Sequence, residues 1–117
     1  MAQAKIFSGR CGFNTTVDAT LIETDDGERV QLHIESECKS CQKLATILTE
    51  VDPYREITYR RGGPLTLELA AKTLPHTACP VPSGIIKAIE VASGCQHYNI
   101  IIMVLRREQP TRRLIAA

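Results

Sequence analysis

Between Val30 and Glu35 apolar and polar positions alternate. Val30, Leu32 and Ile34 are apolar, and Gln31, His33 and Glu35 between them are polar. This period of two belongs to a strand with one face in a core and the other in water. A shorter apolar run, Ala4 to Ser8, precedes it and is separated from the β-rich segment Phe13 to Thr24 by the turn-like Gly9-Arg-Cys-Gly12. Asp26-Gly27 is a type I′ hairpin signal, and a two-residue loop there pairs Leu21 with Leu32 and Ala19 with Ile34. The pattern therefore predicts a three-stranded antiparallel meander from Ala4 to Ser36.

After Ser36 the period changes. Cys41, Leu44, Ala45, Leu48 and Val51 fall on one stripe of a helix, with Ser36 as its N-cap and Asp52-Pro53 as its stop. Glu56 to Arg60 reads as a short strand before the break at Gly62-Gly63. Pro64 suits the first turn of a second helix, whose buried stripe is Leu67, Ala70, Ala71 and Leu74. The proline-bounded segment Pro75-His-Thr-Ala-Cys-Pro-Val-Pro82 reads as an ordered loop, because proline removes donors and restrains the residue before it. A third helix is expected from Ser83 to Ser93, burying Ile85, Ala88, Ile89 and Ala92, with Gly94 just past its end. Tyr98 to Leu105 is nearly continuous in apolar residues. It is expected to be a central strand covered on both faces, or else an edge through which the protein forms a homodimer. Together these elements predict an α+β fold, an antiparallel sheet extended by the strand near Ile100 with about three helices on one face. Residues 1–105 make one domain, and 106–117 a basic, frayed tail.

Composition narrows the function classes. A chain of 117 residues with 44% hydrophobic and 23% charged residues can bury one core. Tryptophan is absent and aromatics are 4%, so that core must be aliphatic. The net charge of +1 gives no overall pull toward nucleic acid or anionic membranes. Arg106, Arg107, Arg112 and Arg113 lack interleaved aromatics to stack bases. Arg60 and Arg61 beside Gly62-Gly63 lack the spacing of a P-loop. The first residues have no apolar signal region, and no window resembles a membrane span. We expect a cytoplasmic protein with no membrane or nucleic-acid partner; any protein partner is left open.

Five cysteines, an odd count without an export signal, argue against a disulfide framework. Cys38 and Cys41 are spaced CxxC where a strand yields to a helix. Free N–H groups and the helix dipole there would favour a thiolate, the form that binds metal or attacks a disulfide. His76 and Cys79 form an HxxC pair, and the two pairs together supply a Cys38, Cys41, His76 and Cys79 set of the kind that closes a tetrahedral zinc site. Cys11, in a glycine-flanked turn, could instead join Cys38, Cys41 and Cys79 around an iron–sulfur cluster. The plainest alternative is that these cysteines pack as small hydrophobes. Cys95 and His97 could join any of these sites.

Cys11-Gly-Phe13, the strand end Ile34-Glu-Ser36 with Cys38 after it, and above all His76-Thr-Ala-Cys-Pro-Val-Pro82 leading into Ile85-Ile-Lys-Ala-Ile-Glu-Val91 resemble a family of small uncharacterised proteins found mainly in anaerobic bacteria and archaea. The resemblance runs from Cys11 to Gly94. It implies an oxygen-poor cytoplasm in which reduced thiols and clusters survive, and it implies that Cys11, Cys38, His76 and Cys79 lie at the characteristic site. It brings no known activity.

Three functions follow from the residues. The first is a metal- or iron–sulfur-binding module holding zinc or a cluster through Cys11, Cys38, Cys41, His76 and Cys79. The second is a thiol–disulfide redox protein using Cys38 and Cys41, and the third a non-catalytic interaction protein with buried cysteines. Strand and loop placement further lead us to expect Cys38 and Cys79 to meet near the start of the first helix, with Cys11 or His76 beside them.

Overall fold

The computed structural model describes residues 1–94 and the backbone of 100–103. Strands β1 (Ala2–Phe7), β2 (Asn14–Thr24) and β3 (Gly27–Ser36) form the antiparallel meander. A two-residue strand, β4 (Glu50–Val51), pairs antiparallel with β3, and β5 (Ile100–Met103) pairs parallel with β1. The sheet order is β4-β3-β2-β1-β5. Helices α1 (Lys39–Ile47), α3 (Leu65–Thr73) and α4 (Val81–Ala92), with the single turn α2 (Pro53–Glu56), complete an α+β fold.

One face of the sheet carries the core. Ala2, Ala4 and Ile6 of β1, Val17 and Ala19 of β2, and Val30, Leu32 and Ile34 of β3 are all buried, as alternation requires. Helix α4 lies over β1 and β2, α1 lies over β3, and α3 bridges the two helices. Side-chain size suits this arrangement. The alanines of β1 and β2 give room to Ile85 and Ile89 of α4, while Leu44 and Leu48 meet the larger residues of β3. Each fully buried leucine or isoleucine stabilises the fold by roughly 1.5–3 kcal/mol. The opposite face stays polar, with Gln3 donating to Asp18 at 2.8 Å and His33 paired with Glu35 at 2.9 Å.

Several expectations need correction. The hairpin pairs Leu21 with Val30, Ala19 with Leu32 and Thr24 with Gly27, two residues from the expected register. Its loop is Asp25-Asp26, neither of which has a positive φ, so the turn is not type I′. Gly27 takes the φ of +102° just after it, and the Thr24 hydroxyl closes the turn by accepting from Asp26 N–H and donating to Gly27 O. A slip of two keeps every side chain on its expected face. The first helix ends at Ile47, and Val51 belongs to β4 opposite Val30. Glu56 to Arg60 is not a strand, since Asp52 caps α2 through Tyr54 N–H at 3.0 Å and a 3₁₀ turn follows at Tyr59–Arg61. In α3 the buried residues are Thr66 and Ala70, and Ala71 is exposed. Helix α4 begins two residues early, because Pro82 falls in a first turn that needs no N–H from it. β5 is an edge strand and not a central one. The remainder of the expected 98–105 strand and the 106–117 tail lie outside the described residues.

Candidate functional site

Strand register brings the chemistry to one end of the sheet. Phe7 at the end of β1 faces Asn14 at the start of β2, and Thr15 of β2 faces Ser36 at the end of β3. The turn holding Cys11 and the chain leading to Cys38 therefore emerge side by side. Glu37 straddles this junction: its N–H donates to Asn14 O at 3.2 Å and its carboxylate accepts from Asn14 N–H at 2.6 Å. Gly12, at φ +70°, supplies the left-handed residue that closes the Cys11 turn.

Cys38 is the N-cap of α1, two residues after the cap expected at Ser36. Ser36 still serves the same helix start. Its hydroxyl accepts from Cys38 N–H at 3.1 Å and is hydrogen-bonded to the buried Thr15 hydroxyl at 2.7 Å, while its carbonyl accepts from the Gln42 amide at 2.8 Å. The strand end is thereby locked to the first turn, and the cap position falls to a half-buried thiol.

The two thiols of the CxxC differ in kind. Partial desolvation works against ionisation of Cys38, but it is outweighed by the nearby backbone N–H groups of Cys41 and Ser40 and by the side chains of both, although the Cys38 sulfur makes no cap hydrogen bond to the helix. The net effect holds Cys38 below the ordinary thiol range. Cys41, one turn on and 1% exposed, belongs to the core with Leu44. Burial first, then the charge of Cys38, the hydrogen bond it donates to Cys38 and the charge of Cys79 push its thiol up to about 12, against a smaller opposing effect of the Ser36 hydroxyl. A partly exposed thiol that ionises more readily than usual thus sits beside a buried thiol that holds its proton more tightly.

The other sequence candidates are placed less closely. Cys79 is half-buried, packs on the same core as Cys38 and Cys41, and lies just ahead of α4. His76 is exposed, its carbonyl accepting from Cys79 N–H at 3.4 Å across a turn. Cys11 is also exposed. Among the described residues no three His, Cys, Asp or Glu side chains are grouped so as to hold a metal ion. The zinc and cluster ligand sets find no support in this geometry. Cys95 and His97 lie outside the described residues.

Sequence reasoning missed a second anion-holding helix start. The Glu56 carboxylate, 1% exposed, accepts from Leu65 N–H and Thr66 N–H, each at 2.8 Å, and from the Thr66 hydroxyl at 2.5 Å. A cleft of about 270 Å³ between α2 and α4 is lined in part by Glu56, Tyr59, Leu67 and Ile86. A shallow concavity of about 360 Å³ on the open sheet face is lined by Asp18, Gln31, His33 and Glu50 among others. The sheet separates that concavity from the thiols.

The sequence profile of a family of unknown function, DUF6951, matches residues 2–102. The chain belongs to DUF6951. The DUF6951 match spans β1 to β5 and so takes in all four cysteines described above. No curated protein and no solved structure was found to match the chain. Among the described residues no helix is long and apolar enough to cross a membrane.

Proposed function

We propose that this protein is a thiol–disulfide exchange protein in which Cys38 attacks and Cys41 resolves. The observation that supports this most is the opposed pair, a half-exposed thiol favoured as thiolate at a helix start and a buried thiol beside it that keeps its proton. Exchange needs that asymmetry, because the thiolate is the nucleophile and a low-pKa thiol is also the better leaving group. The Cys38 thiolate attacks a disulfide RS–SR, giving Cys38–S–SR and RS⁻. That step removes the Cys38 charge and the hydrogen bond that held the proton on Cys41, two of the causes of its high pKa. RS⁻ takes the Cys41 proton, the Cys41 thiolate attacks the Cys38 sulfur, and the second RS⁻ leaves a Cys38–Cys41 disulfide.

Thiol counting tests this reading. Reduced protein incubated with a small dialkyl disulfide should lose the free thiols of Cys38 and Cys41 together, and Cys38→Ser should keep its Cys41 thiol. Unchanged thiol counts in the wild type would end the proposal. Elemental analysis of anaerobically purified protein is the companion measurement, since stoichiometric zinc or iron held by the same cysteines would replace exchange with the metal-binding reading.

The edge position of β5 favours a homodimer over the covered central strand as the reason for its apolar sequence. Light scattering at two concentrations checks it, and a strictly monomeric protein would remove the stable dimer.

A further inference from the structure

The exchange reading, on which the following step rests, leaves open which disulfides Cys38 meets. We propose that Phe13 is the specificity-determining residue of that site, a half-exposed aromatic platform beside Cys38, and that the substrate is a polypeptide disulfide whose cysteine is flanked by an aromatic residue. Strand register carries the placement. β2 and β3 are paired through Thr15 and Ser36, and the pairing runs one step further, because Glu37 N–H donates to Asn14 O at 3.2 Å. The next pair in that register is Phe13 with Cys38. Both sides hold the ladder geometry to this point. Cys38 is still extended, at φ −84° and ψ 125°, and Phe13 O accepts from Ser8 N–H at 3.0 Å, which continues the ladder of β1 and β2 past Phe7 and Asn14. Residues opposite one another in an antiparallel pair project to the same side with Cβ atoms roughly 5 Å apart.

Two phenylalanines lie at this end of the sheet, Phe7 at 38% exposure and Phe13 at 39%, and alternation sends them to opposite faces. Ile6 is buried, so Phe7 belongs with the open polar face, whereas Phe13 has the parity of the buried Thr15 and Val17. Cys38 has the parity of Ile34 and Ser36 on that same side and packs against the core. Phe13 therefore stands at the rim of the core on the thiol's own face. A ring left partly in water there offers apolar area to a group that arrives with the disulfide, and a second ring adds offset or edge-to-face contact to the burial. Charge favours no ionic substrate, since Glu37 and Lys39 on either side of Cys38 are opposite in sign. The exchange step itself is unchanged: the substrate S–S bond breaks, the bond from Cys38 to one of its sulfurs forms, and the other sulfur leaves as a thiolate. Phe13 acts by holding that bond in line for attack.

Paired peptide disulfides test the platform on the full chain. The probes are the symmetric disulfides of N-acetyl-Phe-Cys amide and N-acetyl-Gly-Cys amide, both uncharged, so that either sulfur gives the same product. Reduced protein is mixed with each, and the loss of Cys38 reactivity toward alkylation is followed by mass spectrometry. Each rate is divided by the rate of the same disulfide with 2-mercaptoethanol, which removes intrinsic differences between the probes. On that scale the Phe disulfide should react with the wild type about tenfold faster than the Gly disulfide. Phe13→Ala should bring the ratio to within about twofold of one, Phe13→Leu should keep part of it, and Phe7→Ala should keep all of it. A ratio near one in the wild type, or a ratio that survives Phe13→Ala, overturns the platform and leaves the exchange reading standing. An equal loss of the ratio in Phe7→Ala also overturns it, because the two rings lie on opposite faces. So does a wild-type dimer that Phe13→Ala dissolves in light scattering, since a second copy would then cover the ring. Absence of any reaction of Cys38 with either peptide overturns both readings. If Phe13→Ala fails to fold, the wild-type ratio and Phe13→Leu decide the matter.

Discussion

Two helix starts in this protein place an acidic group beside backbone N–H donors, one in hydrogen bonds and the other without a cap bond. At α3 the group is Glu56, supplied from another element, fully enclosed and saturated by two N–H groups and a hydroxyl. At α1 the group is Cys38, the cap residue itself, half-exposed and next to a second thiol that can take its charge away. The same dipole and the same orphan donors act at both places. What separates a structural cap from a chemical one is access from outside and the presence of a partner able to form a bond. A buried carboxylate whose oxygens are taken up by donors serves the fold, whereas a partly exposed thiol beside a second thiol is placed where exchange could be tested.

The largest expected effect separates the two ends outright. Cys38→Ser should lower disulfide-exchange turnover by at least about three orders of magnitude and leave thermal stability nearly unchanged. Glu56→Gln should do the reverse, costing about 2–3 kcal/mol through lost acceptors for buried N–H groups while the alkylation rate of Cys38 holds. Urea titration and iodoacetamide kinetics on both variants check this, and a matching loss of reactivity in Glu56→Gln would erase the distinction.

Alkaline pH sharpens the comparison within the thiol pair. Cys41 has a native pKa raised from 9.0 to about 12, so the folded state binds more protons than the unfolded one between those values. Its contribution to stability is complete below the ordinary thiol value and is lost as pH climbs toward about 12. Cys41→Val should remove that part of the alkaline loss, so the stability difference between variant and wild type should grow in the variant's favour across that interval. Cys38 has the opposite sign. Its lowered native pKa gives a contribution that is complete above the ordinary thiol value and fades as pH falls through the native one. Its alkylation should accordingly reach half-maximum at a lower pH than that of a free alkyl thiol.

Ser36→Ala is the mildest change. It removes the acceptor for Cys38 N–H and the bond to the Thr15 hydroxyl, and chemical denaturation should register about 1 kcal/mol. Because the Ser36 hydroxyl favours the Cys41 thiolate, resolution of the mixed disulfide should also slow, while the first attack by Cys38 keeps its rate.

Much of the fold was legible because burial imposes a period. Val30, Leu32 and Ile34 announced a half-buried strand, and Ile85, Ala88 and Ile89 announced a helix face. Where one residue suits two periods, the reading failed. Val51 sits on the extension of the α1 stripe and is equally suited to a buried strand position, and only the chain reversal after Ile47 decides between them. Asp26-Gly27 misled because the positive φ of Gly27 serves a turn ending on it, not one centred on it. At the site, the CxxC was visible, and so was the expectation that a helix start would favour its thiolate. The inequality of its members was not, since it depends on the core that closes over Cys41. Glu56 left no trace in the linear pattern. A buried carboxylate is recognisable only from its donors, and Thr66 lies across a turn and a glycine pair from it.

The parallel pairing of β5 with β1 joins Ala4 to Ile100, residues far apart in sequence and therefore in the time of their synthesis. Contacts at that separation close late, because the loop entropy they must overcome is large. On the ribosome β1, β2, β3 and α1 are free to assemble while residues near Ile100 are still untranslated. Throughout that interval the outer side of β1 is an open template for any other strand. Lys5, exposed in the middle of β1, is the kind of charged edge residue that discourages such pairing. A chain halted before Ile100 is therefore guarded against self-association along that edge by little more than one lysine.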